Sequence, residues 1–293
     1  MKEIVVISGK GGTGKTSITA SFSILGKENI IVADCDVDAA DMHILMKPDY
    51  VNSQDFYSGK IAEIDQSKCI KCGKCQNVCR FDAIPIIEGE YVVQPIDCEG
   101  CGYCSLVCPR DAITMYEPKV GQWYVSNIKT GTKMVHAKLG IGEDNSGKLV
   151  AKVKKEAKIL AESEAKDFVI VDGSPGVGCP VVSSLSGASF VILVTEPSVS
   201  GVHDLKRVYE VVKKFGLTAG CIINKADINS NKATEIKEFL DEEGIELLAE
   251  LPYDENFTKA MTQGKTIVEF EDGKIKKILE NTWENIKTKV NKK

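Results

Sequence analysis

At 293 residues, with 43% hydrophobic and 27% charged side chains, the chain has the make-up of an ordinary globular protein and can bury the core of one large domain plus a small one. Its formal net charge of -5 argues against a general nucleic-acid binder, and no apolar stretch approaches the ~20 residues that span a bilayer. The opening residues lack the cationic-then-apolar layout of an export signal, so a cytoplasmic, reducing location is expected for the 11 cysteines.

The first apolar run, residues 4–7, leads into GKGGTGKT, Gly9 to Thr16, and helical spacing follows over 16–25. Successive glycines let backbone N–H groups converge on nucleotide phosphates, and the next helix turns its positive dipole end toward the same charge. In such a loop Lys15 reaches the β- and γ-phosphates and the Thr16 hydroxyl ligates Mg2+. Gly11, Gly12, Thr13, Gly14 and Ser17 complete the expected ATP cradle. A second run, 30–33, ends in Asp34, Asp36 and Asp38, and aspartates at a strand tip are placed to orient water or support a magnesium shell.

Between about 48 and 147 no strand-helix alternation is legible, and something else is inserted. Two matching runs, Cys69-x2-Cys72-x2-Cys75-x3-Cys79 and Cys98-x2-Cys101-x2-Cys104-x3-Cys108, lie there, each followed by a similar apolar segment. Four soft thiolates hold an iron–sulfur cube, and this spacing is the bacterial ferredoxin form, in which the fourth cysteine serves the other cluster. One [4Fe-4S] site is therefore expected at Cys69, Cys72, Cys75 and Cys108, the other at Cys98, Cys101, Cys104 and Cys79. Zinc sites usually pair CxxC units at wider separation. The second run ends Cys108-Pro109 and the first Cys79-Arg80, a departure that bears on local polarity rather than on ligation. A hairpin about Thr130-Gly131-Thr132 is expected to return the chain to the main sheet. The expected division is an ATPase domain at 1–59 and 119–293, with a ferredoxin-like α+β insert at 60–118.

Beyond the insert, helical spacing at 149–161, 202–215 and 233–240 alternates with apolar runs at 168–171, 190–194, 221–223 and 247–251. The alternation predicts an α/β fold, a mostly parallel sheet with helices on both faces. The run at 168–171 delivers Asp172 and then Gly-Ser-Pro-Gly, a carboxylate near magnesium followed by glycines free to move when the γ-phosphate leaves. Cys35 and Cys221 read as small buried hydrophobes, and Cys179 as a buried or merely reactive thiol. The scattered His43, His136 and His203 imply no metal site. Residues 274–290 place an apolar stripe opposite many lysines, which reads as a packed terminal helix before a membrane-surface one.

Lys10, a second lysine ahead of the glycine pair, is not needed by an ordinary phosphate loop. With it the chain resembles the MinD/ParA/Mrp superfamily of deviant Walker A P-loop ATPases, which includes nitrogenase iron protein, and specifically members containing an inserted ferredoxin domain. The resemblance implies a homodimer in which Lys10 crosses to the partner's nucleotide, Asp36 as the water-positioning residue, Asp172 as the Walker B residue, and Asn224 and Pro252 beside the adenine. Cys179 stands seven residues past Asp172, where nitrogenase iron protein carries a cluster ligand, but no second cysteine matches and the CPxC pair of Mrp-type carriers is missing. Three functions follow as expectations: ATP-gated electron transfer to a redox partner, a metallocofactor-assembly carrier, or a MinD-like positioning ATPase with structural clusters.

Overall fold

The computed structural model describes residues 1–140 and 145–291. It resolves into two units, the first comprising Met1–Gln54, Trp123–Lys138 and Ser146–Lys293, the second Asp55–Gln122 and Leu139–Asn145. In chain order the elements of the first half are β1 (Lys2–Ile7), α1 (Lys15–Gly26), β2 (Ile30–Asp34), α2 (Met42–Met46), β3 (Asn52–Tyr57), β4 (Ile61–Ile64), α3 (Lys74–Val78), β5 (Ile86–Ile87), β6 (Glu90–Tyr91), α4 (Tyr103–Leu106), β7 (Ile113–Tyr116), β8 (Lys119–Asn127) and β9 (Lys133–Leu139). The second half contains α5 (Ser146–Ser163), β10 (Phe168–Asp172), α6 (Cys179–Leu185), β11 (Phe190–Thr195), α7 (Val199–Lys214), β12 (Ala219–Ile223), α8 (Ser230–Glu243), β13 (Glu246–Glu250), α9 (Asn256–Thr262), α10 (Ile267–Phe270) and α11 (Lys274–Asn291).

The main sheet runs β13-β12-β11-β1-β10-β2-β9-β8-β3 among the described residues. Every pair from β13 to β9 is parallel. Ile4 and Val6 of β1 pack into one core with Phe22 of α1 and Leu279 and Trp283 of α11, while the intervening Val5 and Ile7 are also fully buried. Burial on both faces is why these strands read as continuous apolar runs rather than alternating ones. The Trp283 ring stacks on Phe22 at 5.7 Å between centroids. Ile275, Leu279, Ile286 and Val290 are buried in the same core, so the apolar stripe of the terminal helix is covered by its own unit. No described helix is long and apolar enough to cross a membrane.

On the opposite face Lys154 of α5 meets Glu3 of β1 at 2.6 Å, both buried, and also donates to the carbonyls of Ser184 and Ser186 at the end of α6. Burial pushes the Glu3 carboxyl above its ordinary range, with Lys154 opposing. The strand β3 escaped the sequence reading because NSQDFY is exposed nearly throughout at the sheet edge and carries no apolar period. The chain leaves β1 for β2 on one side and reaches β11 on the other, which makes the carboxyl end of β1 a topological switch point, the usual place for a ligand in an open parallel sheet.

The second unit begins five residues earlier than the expected insert and takes in a further segment at its end. It is built from two antiparallel pairs, β4 with β7 and β5 with β6, around a small core of Ala62, Cys75, Ile84, Cys104 and Ile113. The internal repeat appears in the backbone at an offset of 29 residues. Left-handed φ values recur at Lys71 (56°) and Gly100 (65°), at Gly73 (76°) and Gly102 (73°), and at Asp82 (52°) and Asp111 (46°). Gly100 has a second reason to be glycine, since a Cβ there would meet the Lys60 carbonyl oxygen at 2.2 Å.

Candidate functional site

The loop from β1 to α1 is shaped for phosphate. Gly12 and Gly14 take φ of 79° and 91°, the left-handed region that glycine occupies at no steric cost. A Cβ at Gly11 or Gly12 would meet nothing within 4 Å, so the cradle opens outward there. Gly14 caps α1 and no side chain takes up the helix's first N–H groups, which leaves a positive end aimed at the loop. The buried Thr13 hydroxyl also has no partner among the described residues.

Beneath the loop lies a buried acidic cluster. Asp172 ends β10 and Asp34 ends β2, and the two are register neighbours. Both Asp172 oxygens are held by hydroxyls of α1: Thr16 Oγ1 donates to Oδ2 at 2.8 Å and Thr19 Oγ1 to Oδ1 at 2.8 Å. Lys15 Nζ lies 3.0 Å from Asp172 Oδ2 and 3.4 Å from Asp36 Oδ2. Burial alone would push the Lys15 ammonium down, but the charges of Asp172 and Asp36 outweigh it and hold the group above the ordinary lysine value. Burial, reinforced by the Asp172 charge, lifts the Asp34 carboxyl well above the carboxylate range, and its Oδ2 has no partner among the described residues. Asp36 is also raised by burial, with Lys15 pulling part of the way back. An orphaned buried carboxylate oxygen beside two further aspartates and a threonine hydroxyl is the hard-oxygen donor set that suits Mg2+. Asp38 is exposed and stands outside this cluster.

The other side of the loop is cationic. Lys10 Nζ donates to Glu196 Oε1 at 2.6 Å, to Ser198 Oγ at 3.1 Å and to Ser200 Oγ at 2.8 Å. Lys225 Nζ takes the other Glu196 oxygen at 2.8 Å and also donates to the Gly12 carbonyl at 3.2 Å. Despite its burial, Glu196 is held below the ordinary glutamate value by these two lysines. Asn224 donates through Nδ2 to the Thr13 carbonyl at 2.8 Å, and a Cβ on Gly14 would meet that same amide at 2.4 Å. Asn224 thus braces the phosphate loop directly, a role its place in the sequence did not suggest. Ala226 N–H donates to the Leu251 carbonyl at 2.8 Å, which sets the loop carrying Pro252 beside the loop carrying Asn224. Thr19 and Lys225 were missed in the sequence, although Thr19 lies one helical turn past Lys15 on the same face.

In the second unit the cysteines line two cavities of about 350 and 360 Å³, open mouths included. Cys69, Cys72, Cys75 and Cys108 line one, and Cys79, Cys98, Cys101 and Cys104 the other. Each cavity therefore takes three thiols from one run and the fourth from its repeat. Among the described residues no three or more His, Cys, Asp or Glu side chains close as tightly as a single metal ion requires. Four thiols per cavity are the soft donor set that a four-iron cluster would need. Cys35 and Cys221 are fully buried, and burial raises both thiols. Cys179, at the start of α6, is exposed, contrary to a buried reading, because the loop before it brings the helix end to the surface.

Three kinds of likeness accompany this geometry. The model of the CobQ/CobB/MinD/ParA nucleotide binding domain matches residues 4–267. The uncharacterized protein MJ0578 of Methanocaldococcus jannaschii is 38% identical over 230 residues, covering 78% of this chain and 79% of its own. The septum site-determining protein MinD of Pyrococcus horikoshii, solved with Mg-ADP, superposes with a TM-score of 0.60 at 21% identity, covering 97% of this chain and 95% of its own. A chain of the MinC:MinD cell division protein complex of Aquifex aeolicus gives 0.61 at 15% identity, covering 98% of this chain and 96% of its own. The family match over residues 4–267 and the 38% identical relative show that the chain belongs to the CobQ/CobB/MinD/ParA family of P-loop ATPases.

Proposed function

We propose that this ATPase is a nucleotide-dependent homodimer whose second unit is a ferredoxin-like cassette with two [4Fe-4S] clusters, and that it couples ATP turnover to electron transfer to a partner protein. The observation that carries the reading is the exchange of the fourth cysteine between two thiol-lined cavities. Bound there, the clusters would supply one-electron chemistry.

At the nucleotide, Lys15 neutralises phosphate charge, and Thr16, with Asp172 behind it, would hold Mg2+, which when bound would supply charge neutralisation to phosphoryl transfer. Asp36 orients the attacking water, and its carboxyl stands within reach of Lys15. Lys10 supplies a positive charge to the partner subunit's nucleotide, as an arginine finger does. Asn224 and Pro252 sit on adjoining loops that would flank the base. The segment after Asp36 leads by way of β3 to the start of the second unit at Asp55, a short covalent route from one device to the other.

A second reading, a MinD-like positioning ATPase with structural clusters, is favoured by the likeness to septum-site proteins. The covered apolar face of α11 counts against a membrane role for that helix. One experiment separates the two. The chain is purified without oxygen, its iron counted, and its reduction potentials measured with and without a nonhydrolysable ATP analogue. About eight irons per chain and a potential that moves with nucleotide support the coupled reading. Clusters that never move with nucleotide and never reduce a partner favour the positioning role, and iron transfer to an apo-acceptor would favour the assembly carrier.

A further inference from the structure

We propose that the two cysteine cavities are electrostatically unequal, so that the group held by Cys69, Cys72, Cys75 and Cys108 takes up an electron more readily than the group held by Cys79, Cys98, Cys101 and Cys104. This rests on the two-cluster reading above. The potentials of thiolate-held clusters are set by net charge, by hydrogen bonds to the sulfurs and by exposure, and the first two differ between the cavities.

Charge is the larger contrast. The first cavity is lined by Lys74 and Arg110 and by no carboxylate; the second by Glu99 and by no cation. The repeat extends the contrast to matched positions. Lys68, Lys71 and Lys74 stand immediately before Cys69, Cys72 and Cys75, whereas Asp97, Gly100 and Tyr103 stand before Cys98, Cys101 and Cys104. Lys68 is partly offset by Asp65 at 3.2 Å. Arg80, next to Cys79, and Lys60, whose backbone lies against Gly100, are cations that run the other way, and both are exposed and line neither cavity. An added electron is stabilised by nearby positive charge and opposed by negative charge.

Hydrogen bonding points the same way. Ala112 N–H donates to Cys108 Sγ at 3.3 Å, in the first cavity. Ala83 and Cys79 are the matching pair in the repeat, and among the described residues no such bond joins them. A donor to a ligand sulfur withdraws charge from it and favours the reduced form.

All of these charges are exposed, so their effect is screened by water and weakened by salt. That screening provides a signature. An anaerobic reductive titration followed by electron paramagnetic resonance, at low and at high ionic strength, is expected to show two separated steps that approach each other as salt is added. Lys74→Glu is expected to disfavour reduction in the first step alone and Glu99→Lys to favour it in the second alone, each by roughly two- to tenfold in the reduction equilibrium. Two coincident steps in a chain holding its full iron, or a Glu99→Lys variant that moves the more easily reduced group, would overturn the ordering while leaving the two-cluster reading intact. Iron far below about eight per chain would overturn both.

Discussion

The ammonium of Lys10 is bound by Glu196 of its own chain, at 2.6 Å, and the same carboxylate holds Lys225. A lysine proposed to act on a partner's nucleotide is thus anchored in cis, and reaching across requires it to leave a carboxylate and two serine hydroxyls. Lys10→Ala is expected to lower ATP hydrolysis by about 10³-fold or more with nucleotide binding retained, as for loss of a finger residue. Glu196→Gln weakens the anchor and is expected to increase ATP-dependent self-association, read by light scattering. Hydrolysis unchanged in Lys10→Ala would remove the in-trans role.

Asp36 is the water-orienting residue in the proposed reaction, with Lys15 at 3.4 Å. Asp36→Asn keeps the shape and removes the charge. Single-turnover hydrolysis should fall by about 10² to 10⁴, the range for loss of a positioned general base, while ATP still supports dimer formation.

Thr19 is a positioning residue for Asp172, since its hydroxyl holds Oδ1 inside the core. Thr19→Val conserves shape and leaves that oxygen one donor short, at a cost of about 1–3 kcal/mol. Thermal unfolding should register the loss, and Thr19→Ser should restore most of it. An unchanged melting temperature in Thr19→Val would show the bond to be dispensable.

His136 is buried against Tyr124, with Ser126 Oγ 2.9 Å from its Nε2, and burial depresses its pKa to about 4. The unfolded chain takes up a proton near pH 6.5 that the folded one refuses until about 4. Stability from this residue is therefore full above about pH 6.5 and lost on acidification toward 4, at most about 3 kcal/mol. Denaturant titrations should show that slope in the wild type and a flatter one in His136→Gln.

The exchanged fourth cysteines make a pattern of equivalences. Cys108→Ala and Cys69→Ala should leave the same residual spectrum, each with about half the wild-type iron, and Cys79→Ala should match Cys98→Ala. Residual spectra grouped by run instead would mean that each run closes its own cluster.

Much of this was legible because the residues carry their chemistry in fixed spacing. Gly9 to Thr16 and the two cysteine runs stand out because their fixed spacing gathers like residues on one loop, and the structure gathers the cysteines around two cavities. Asp172 and Asp36 were readable because each follows an apolar run that ends at a strand tip. What stayed hidden depends on residues far apart in sequence. Asn224 reaches the Thr13 carbonyl across 211 residues, and Lys225 reaches Gly12 across 213. β3 had no apolar period to reveal it.

The crossing of the fourth thiol between the repeats also imposes an order on biosynthesis. While the chain is being made, the cavity that begins at Cys69 lacks its last thiol until residue 108 has been added. By then every cysteine of the other cavity is already in place. In the proposed two-cluster reading, iron delivery would wait until the whole cassette has been translated, and a ribosome stalled between the two runs would hold a fragment unable to complete either cavity.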